Sequence, residues 1–214
     1  MGALAMGRVN PAQLDGVTLD AYGTLVTLLD PVPALTAALA ERNFPRDRDT
    51  VAHGFRVEVE HYVRHSASGH DEEGLARLRQ ECARVFLDAV DADLDADAFA
   101  PVYAGAMHFE VIPGVVAALE RLRSLGLELA VVANWDLTLR RLLDEVGLSE
   151  YFRCVVHAAA KPAPDGLLRA LAELQVDAGR ALHIGDDDVD ELAAHAAGMH
   201  FAAAPLADVV TALA

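Results

Sequence analysis

The order of apolar and polar positions changes character twice along the chain. Val17-Thr18-Leu19 is a short, mostly apolar run that predicts a buried strand, and it ends in Asp20. From about residue 30 the apolar positions recur at spacings of three and four. Leu35 and Leu39 come first, then Val51, Phe55, Val59, Tyr62 and Val63. Leu75, Leu78, Cys82, Val85 and Phe86 follow, and then Phe99, Val102, Tyr103, Ala106 and Phe109. Each set predicts an amphipathic helix. Asn43 with Pro45, the polar break 66–71 and the acidic stretch 91–97 separate them. Beyond Ile112 short strands alternate with helices. Strands are predicted at 127–133, 154–157, 181–184 and 199–203, with helices at 113–125, 137–146, 164–174 and 189–197. Gly126 stands where a glycine commonly ends a helix.

Alternating strands and helices imply an α/β fold with a doubly wound parallel sheet and right-handed crossovers. Asp20 and Asn134, each after a predicted strand, are much further apart than one crossover helix requires. The helical block is therefore read as an insert. Residues 1–29 and 110–214 form the α/β core, and residues 30–109 an all-helical cap. Strand order is expected to reverse beside Asp20, where open α/β sheets bind their ligands.

Composition narrows the function further. The 214 residues are 53% hydrophobic and carry a formal net charge of −16. That balance fits a globular fold and disfavours electrostatic capture of nucleic acid or an anionic membrane. No apolar run reaches the roughly 18 residues of a membrane span. Residues 1–10 read as a loose tail without a secretory pattern. Two cysteines, Cys82 and Cys154, lie far apart in no metal-ligand spacing, as expected in a reducing cytoplasm. A cytoplasmic monomer or homodimer is the expectation.

Four loops that follow predicted strands carry the polar residues. They are Asp20, Tyr22, Gly23 and Thr24; Ala133-Asn134-Trp135-Asp136; Lys161-Pro162; and Gly185-Asp186-Asp187-Asp188-Val189-Asp190. All should converge at the carboxyl ends of the strands. A nucleophilic carboxylate, a lysine, an amide and a group of acids make a coherent reaction site. Gly23 allows the loop backbone to approach an anion closely.

With these residues in view, the chain resembles the haloacid dehalogenase-like superfamily over nearly its whole length. Asp20 to Leu25, DAYGTL, resembles the first motif of that family, which implies Asp20 as attacking nucleophile and Thr24 as the residue steadying its loop. Ala133 stands where the second motif has Ser or Thr, with Asn134 after it as substrate-binding amide. Lys161-Pro162 resembles the third motif, and Gly185 to Asp190 the fourth, GDxxxD. The insert lies where the family carries a helical C1-type cap, whose side chains, Tyr62 among them, would select the substrate. The resemblance implies a phosphatase-type hydrolase of a small phosphorylated or diphosphate metabolite. Mg²⁺ would be held by Asp20, the Tyr22 carbonyl, Asp186, Asp187 and Asp190, whose oxygens suit a hard cation. Lys161 and Asn134 would hold the phosphoryl oxygens. Asp190 could equally cap the helix that follows it.

Three departures from the family pattern change the expected chemistry. Tyr22 replaces the general acid and base of the phosphatases, and a phenol is a poor base at neutral pH. Ala133 lacks the phosphate-binding hydroxyl. The run from Val156 to Lys161 is short, which puts the reach of Lys161 to Asp20 in question. Three other functions therefore stand beside a phosphatase. One is a 2-haloacid dehalogenase, whose halide leaves unprotonated. Another is a terpene cyclase-like lyase of a prenyl diphosphate, since Asp186 to Asp190 also reads DDxxD. The last is a non-catalytic binding protein.

Overall fold

The computed structural model describes residues 11–213; the tail expected at 1–10 lies outside them. The chain divides into two compact units. One comprises the chain up to Thr27, Val111–Asn134 and the chain from Thr138 onward; the other comprises Leu28–Glu110 and Trp135–Leu137.

The strands are β1 (Gly16–Leu19), β2 (Val26–Leu28), β3 (Phe109–Val111), β4 (Glu128–Val132), β5 (Cys154–Val156), β6 (Ala181–Gly185) and β7 (His200–Ala203). Five of them form a parallel sheet in the order β5-β4-β1-β6-β7, and β2 and β3 pair separately. The helices are α1 (Val32–Glu41), α2 (Arg48–His65), α3 (Glu72–Ala89), α4 (Ala96–Gly105), α5 (Val115–Ser124), α6 (Leu139–Glu145), α7 (Asp165–Leu174), α8 (Asp188–Ala197) and α9 (Leu206–Ala212).

In the α/β unit β1 is central, and all four of its residues are buried. Leu19 is in register with Val131 of β4 on one side and Ile184 of β6 on the other. The chain order reverses at β1, as predicted, so Asp20 leaves the sheet at the switch point. The sheet reads as continuous apolar runs because both its faces are covered. Leu167, Leu171 and Leu174 of α7 and Ala193 and Ala194 of α8 join Val132, Val156 and Met199 in one apolar cluster. α5 packs against α9, a helix the periodicity did not reveal.

In the helical unit three aspartates start three helices. Asp47 accepts from the Thr50 amide at 2.9 Å and Asp71 from the Gly74 amide at 2.7 Å. Asp95 accepts from the Asp97 and Ala98 amides at 2.8 and 3.2 Å. Each satisfies a backbone donor that the first helical turn leaves unpaired. Leu35, Leu39, Val51, Phe86, Phe99 and Tyr103 form the core. Two sequence expectations change here. Phe109 belongs to β3, not to a helical stripe. On α2 the buried positions are Val51, Gly54 and Glu58, whereas Val63 is 65% exposed. A strict spacing of four precesses about 40° per step at 3.6 residues per turn, so the line from Val51 to Val63 leaves the inner face. Tyr62 is turned into the unit, where its hydroxyl donates to Asp136 Oδ2 at 3.1 Å. Trp135 lies 5.1 Å from Phe109, ring centre to ring centre.

Glu58 is buried without a cation, and the Tyr103 hydroxyl donates to its Oε2 at 2.6 Å. Burial raises its pKa above the ordinary 4.5, the hydrogen bonds from Cys82 and Tyr103 opposing. The folded state therefore binds this proton more tightly than the unfolded chain does. Stability falls as pH rises from the ordinary carboxylate range through the raised value, and is flat above it. Glu58→Gln removes this dependence. In urea unfolding the variant should gain stability relative to wild type as pH rises from about 4 to about 8.

Candidate active site

Asp20 follows β1, with its amide donating to the Ile184 carbonyl of β6 at 2.9 Å. The turn after it is closed by the backbone. Gly23 N–H donates to Val26 O at 2.9 Å, and the amides of Leu25 and Val26 donate to Ala21 O at 2.8 and 3.0 Å. Thr24 contributes no side-chain bond to this turn: among the described residues its buried Oγ1 has no hydrogen-bond partner. The hydrogen bonds that close the loop come from its main chain. Gly23 has φ +74°, the left-handed region that favours glycine, and a Cβ there would overlap the Asp186 carboxylate.

Lys161 reaches Asp20 despite the short loop before it. Its Nζ donates to Asp20 Oδ1 at 2.5 Å and also to Asp190 Oδ1. The lysine side chain is 2% exposed, with Asp20 at 12% and Asp190 at 2%. Asn134 tethers the lysine loop: its Oδ1 accepts from the Lys161 amide at 2.7 Å and its Nδ2 donates to the Lys161 carbonyl at 2.9 Å. These two hydrogen bonds tie the Asn134 side chain to the main chain of Lys161. Ala133 is buried and tied to β5 through its backbone N–H, which donates to Val156 O at 3.0 Å.

The acidic run after β6 is divided by the start of α8. Asp186 is exposed beside the loop that follows Asp20, and Asp190 is buried on the first turn of the helix. Asp190 Oδ2 accepts from the Asp187 amide at 3.2 Å, so the helix-capping role is present. Its Oδ1 also faces His183 Nε2 at 3.1 Å. One carboxylate oxygen each from Asp20, Asp186 and Asp190 lies within 4.8 Å of the others. Asp187, expected among the metal ligands, is exposed and stands outside that group. Tyr22 is 51% exposed, and no carboxylate takes its place on the loop. The acidic run thus lies beside Asp20, to which it brings Asp186 and Asp190.

The electrostatics separate the three acids. Burial raises the Asp20 pKa and the charge of Lys161 opposes it, while Asp190 adds to the rise. Burial would also raise Asp190, but the His183 hydrogen bond and the Lys161 charge outweigh it and hold the carboxyl at about 2. Asp186 is raised by burial and by the neighbouring Asp190 charge. His183 is the site residue that sequence reading missed. Its signal was a histidine inside an apolar strand two residues before Gly185, a pattern that a search for metal spacing passes over.

Comparison with known proteins bears on the family. The family model for haloacid dehalogenase-like hydrolases matches residues 14–198. Phosphoglycolate phosphatase 1 of Pseudomonas aeruginosa is 34% identical over 202 residues, 87% of this chain and 68% of that protein. The phosphoglycolate phosphatase of Caulobacter vibrioides is 35% identical over 199 residues, 87% of this chain and 78% of that one. Among solved structures, a 2-haloacid dehalogenase from Pseudomonas syringae pv. tomato superimposes with a TM-score of 0.64 at 25% identity. The match covers 94% of this chain and 98% of the other.

The Lys161 ammonium is the positive charge facing the buried Asp20 and Asp190 carboxylates. Lys161→Met should cost about 3–5 kcal/mol in urea unfolding at neutral pH, the penalty for breaking a buried pair. Adding Asp20→Asn should restore part of that loss.

Proposed function

The chain belongs to the haloacid dehalogenase-like hydrolases, and we propose that it is a Mg²⁺-dependent phosphatase acting on a small phosphorylated metabolite. The observation that carries this reading is the contact of Lys161 Nζ with Asp20 Oδ1 at 2.5 Å, at the carboxyl end of the central strand. It leaves Asp20 Oδ2 to attack phosphorus while the ammonium draws charge from the other oxygen. The names of the phosphoglycolate phosphatase relatives support a small phosphorylated substrate.

In this reaction an Asp20 oxygen forms a bond to phosphorus as the bond to the leaving oxygen breaks. Water then cleaves the acyl phosphate and frees Asp20. Lys161 lowers the electrostatic cost of bringing an anion to an anionic nucleophile. Of the convergent oxygens of Asp20, Asp186 and Asp190, those of Asp20 and Asp186 would take a small hard cation, since both oxygens of Asp190 already accept hydrogen bonds. Bound there, with the Tyr22 carbonyl as a further ligand, Mg²⁺ would neutralise charge on the nucleophile and the phosphoryl group. With Tyr22 unable to protonate an alkoxide, substrates whose leaving groups depart unprotonated, such as acyl phosphates and diphosphates, should be favoured.

The test is a panel of alkyl phosphates, acetyl phosphate, diphosphates and 2-haloacids with wild type and Asp20→Asn. Phosphate release that needs Mg²⁺ and vanishes in Asp20→Asn is expected. Halide release that persists in EDTA would replace this reading with a dehalogenase. Tyr22→Asp should raise turnover of alkyl phosphates by about 100-fold, the lower end of general acid–base contributions. Gly23→Ala should displace Asp186 and weaken Mg²⁺ binding by about ten-fold or more in calorimetry, with the circular dichroism unchanged.

A further inference from the structure

The α/β unit contains a buried histidine that the proposed reaction does not use. His183 lies in β6 with no exposed surface, and both its ring nitrogens are occupied. Nε2 is 3.1 Å from Asp190 Oδ1. Nδ1 is 2.8 Å from Thr18 Oγ1 and 3.1 Å from the Thr18 carbonyl. Thr18 of β1 is the residue in register with His183, so the ring is clamped across the two central strands. A carboxylate oxygen facing Nε2 requires a hydrogen on that nitrogen, whichever way Nδ1 bonds to the hydroxyl and carbonyl of Thr18.

Asp190 is therefore held at both oxygens. Oδ1 accepts from Lys161 and His183, and Oδ2 accepts from the Asp187 amide. A Cβ on Gly185 would run into this carboxyl group, so the strand end is shaped around it as well. Lysine has a flexible stem and three rotatable donors, and its ammonium rests where fixed acceptors put it. Of its two carboxylate acceptors, Asp20 is the one that reacts. The fixed point must then be Asp190.

We propose that His183 is a positioning residue: its Nε2–H fixes the Asp190 carboxylate, and Asp190 in turn fixes the Lys161 ammonium at Asp20. His183 touches neither phosphorus nor the nucleophile. Its effect passes through the order Thr18, His183, Asp190, Lys161, Asp20, with each adjacent pair in contact.

Two measurements test this, and only the second rests on the phosphatase reading. Long-range ¹H–¹⁵N spectra of the metal-free protein, with His183 assigned through His183→Gln, report which ring nitrogen carries hydrogen. A protonated Nε2 whose resonance moves in Asp190→Asn is expected; a bare Nε2 overturns the proposal, whether or not the chain hydrolyses any phosphate. In the kinetic arm, with acetyl phosphate, His183→Leu should lower kcat by about ten-fold or more, as loss of a supporting hydrogen bond does. The Mg²⁺ activation constant should change much less, because Asp20 and Asp186 are untouched. His183→Gln, which keeps an N–H donor, should recover most of kcat. An unchanged kcat in His183→Leu, or equal losses in the Leu and Gln variants, would overturn the proposal. Should His183→Leu fail to fold, the Gln variant and the spectra of wild type still decide it.

Discussion

A lysine ammonium closed between two buried carboxylates is the constraint on which this site depends. Taking either Asp20 or Asp190 out of water alone carries a desolvation penalty of several kcal/mol, and so does burying Lys161 alone. Together they offset one another, provided the geometry is tight. Lys161 Nζ touches both acids, and its side chain is 2% exposed. The opposite pKa displacements of the two acids follow from their surroundings. Asp190 has a second donor in His183 and stays ionised down to about pH 2. Asp20 has no second side-chain donor, and burial raises it. On the proposed reading the acid without a second side-chain donor is the one that reacts, and the acid held at both oxygens by Lys161, His183 and the Asp187 amide positions it. The division of labour between two identical side chains is set by hydrogen bonds.

The parallel sheet is what brings the three groups together. Asp20 follows the central strand, Lys161 follows the β5 side, and Asp190 begins the helix after β6. A parallel sheet with crossover helices puts all such loops at one end, whatever their distance in sequence. Asn134, after β4, completes the set by binding the main chain of Lys161 on both sides of its carbonyl and amide. Neighbouring strands thereby constrain the lysine loop from its backbone, while Asp20 and Asp190 constrain it from its tip.

How much of this was legible in the sequence depends on which interaction decides each residue. The strand–helix alternation from Ile112 onward is set by burial on both faces of the sheet, and periodicity reads burial well. Asp20, Lys161 and Asp186 were found because loop position after a strand predicts their convergence. Other side-chain placements depend on pairings that no spacing encodes. Thr24 has its hydroxyl unpaired, Asn134 turns to a backbone far along the chain, and Asp187 points to solvent while Asp190 three residues on is buried. The helical stripe through Val59 and Val63 failed for a geometric reason, the precession of a strict four-residue spacing. Trp135–Leu137 illustrates a different limit. They sit in a loop between core elements by sequence, yet Leu137 N–H donates to Gly69 O at 2.8 Å and the segment belongs to the helical unit.

On the proposed reading, the charge carried by the site calls for a cation. Asp20, Asp186 and Asp190 converge with their oxygens close together, and Lys161 is the cation that meets two of them. Three carboxylates against one ammonium leave the mouth of the sheet strongly negative, on a chain whose net charge is already −16. A phosphorylated substrate approaching such a mouth would be repelled. A divalent ion beside Asp20 and Asp186 would cancel the excess without disturbing the lysine, because the oxygens of Asp190 are already bound by His183, Lys161 and the Asp187 amide. Of the three acids, Asp186 is the exposed one. Lysine and cation are therefore not alternatives on the proposed reading. Each neutralises a different face of the same nucleophile, and the buried histidine keeps the two jobs apart.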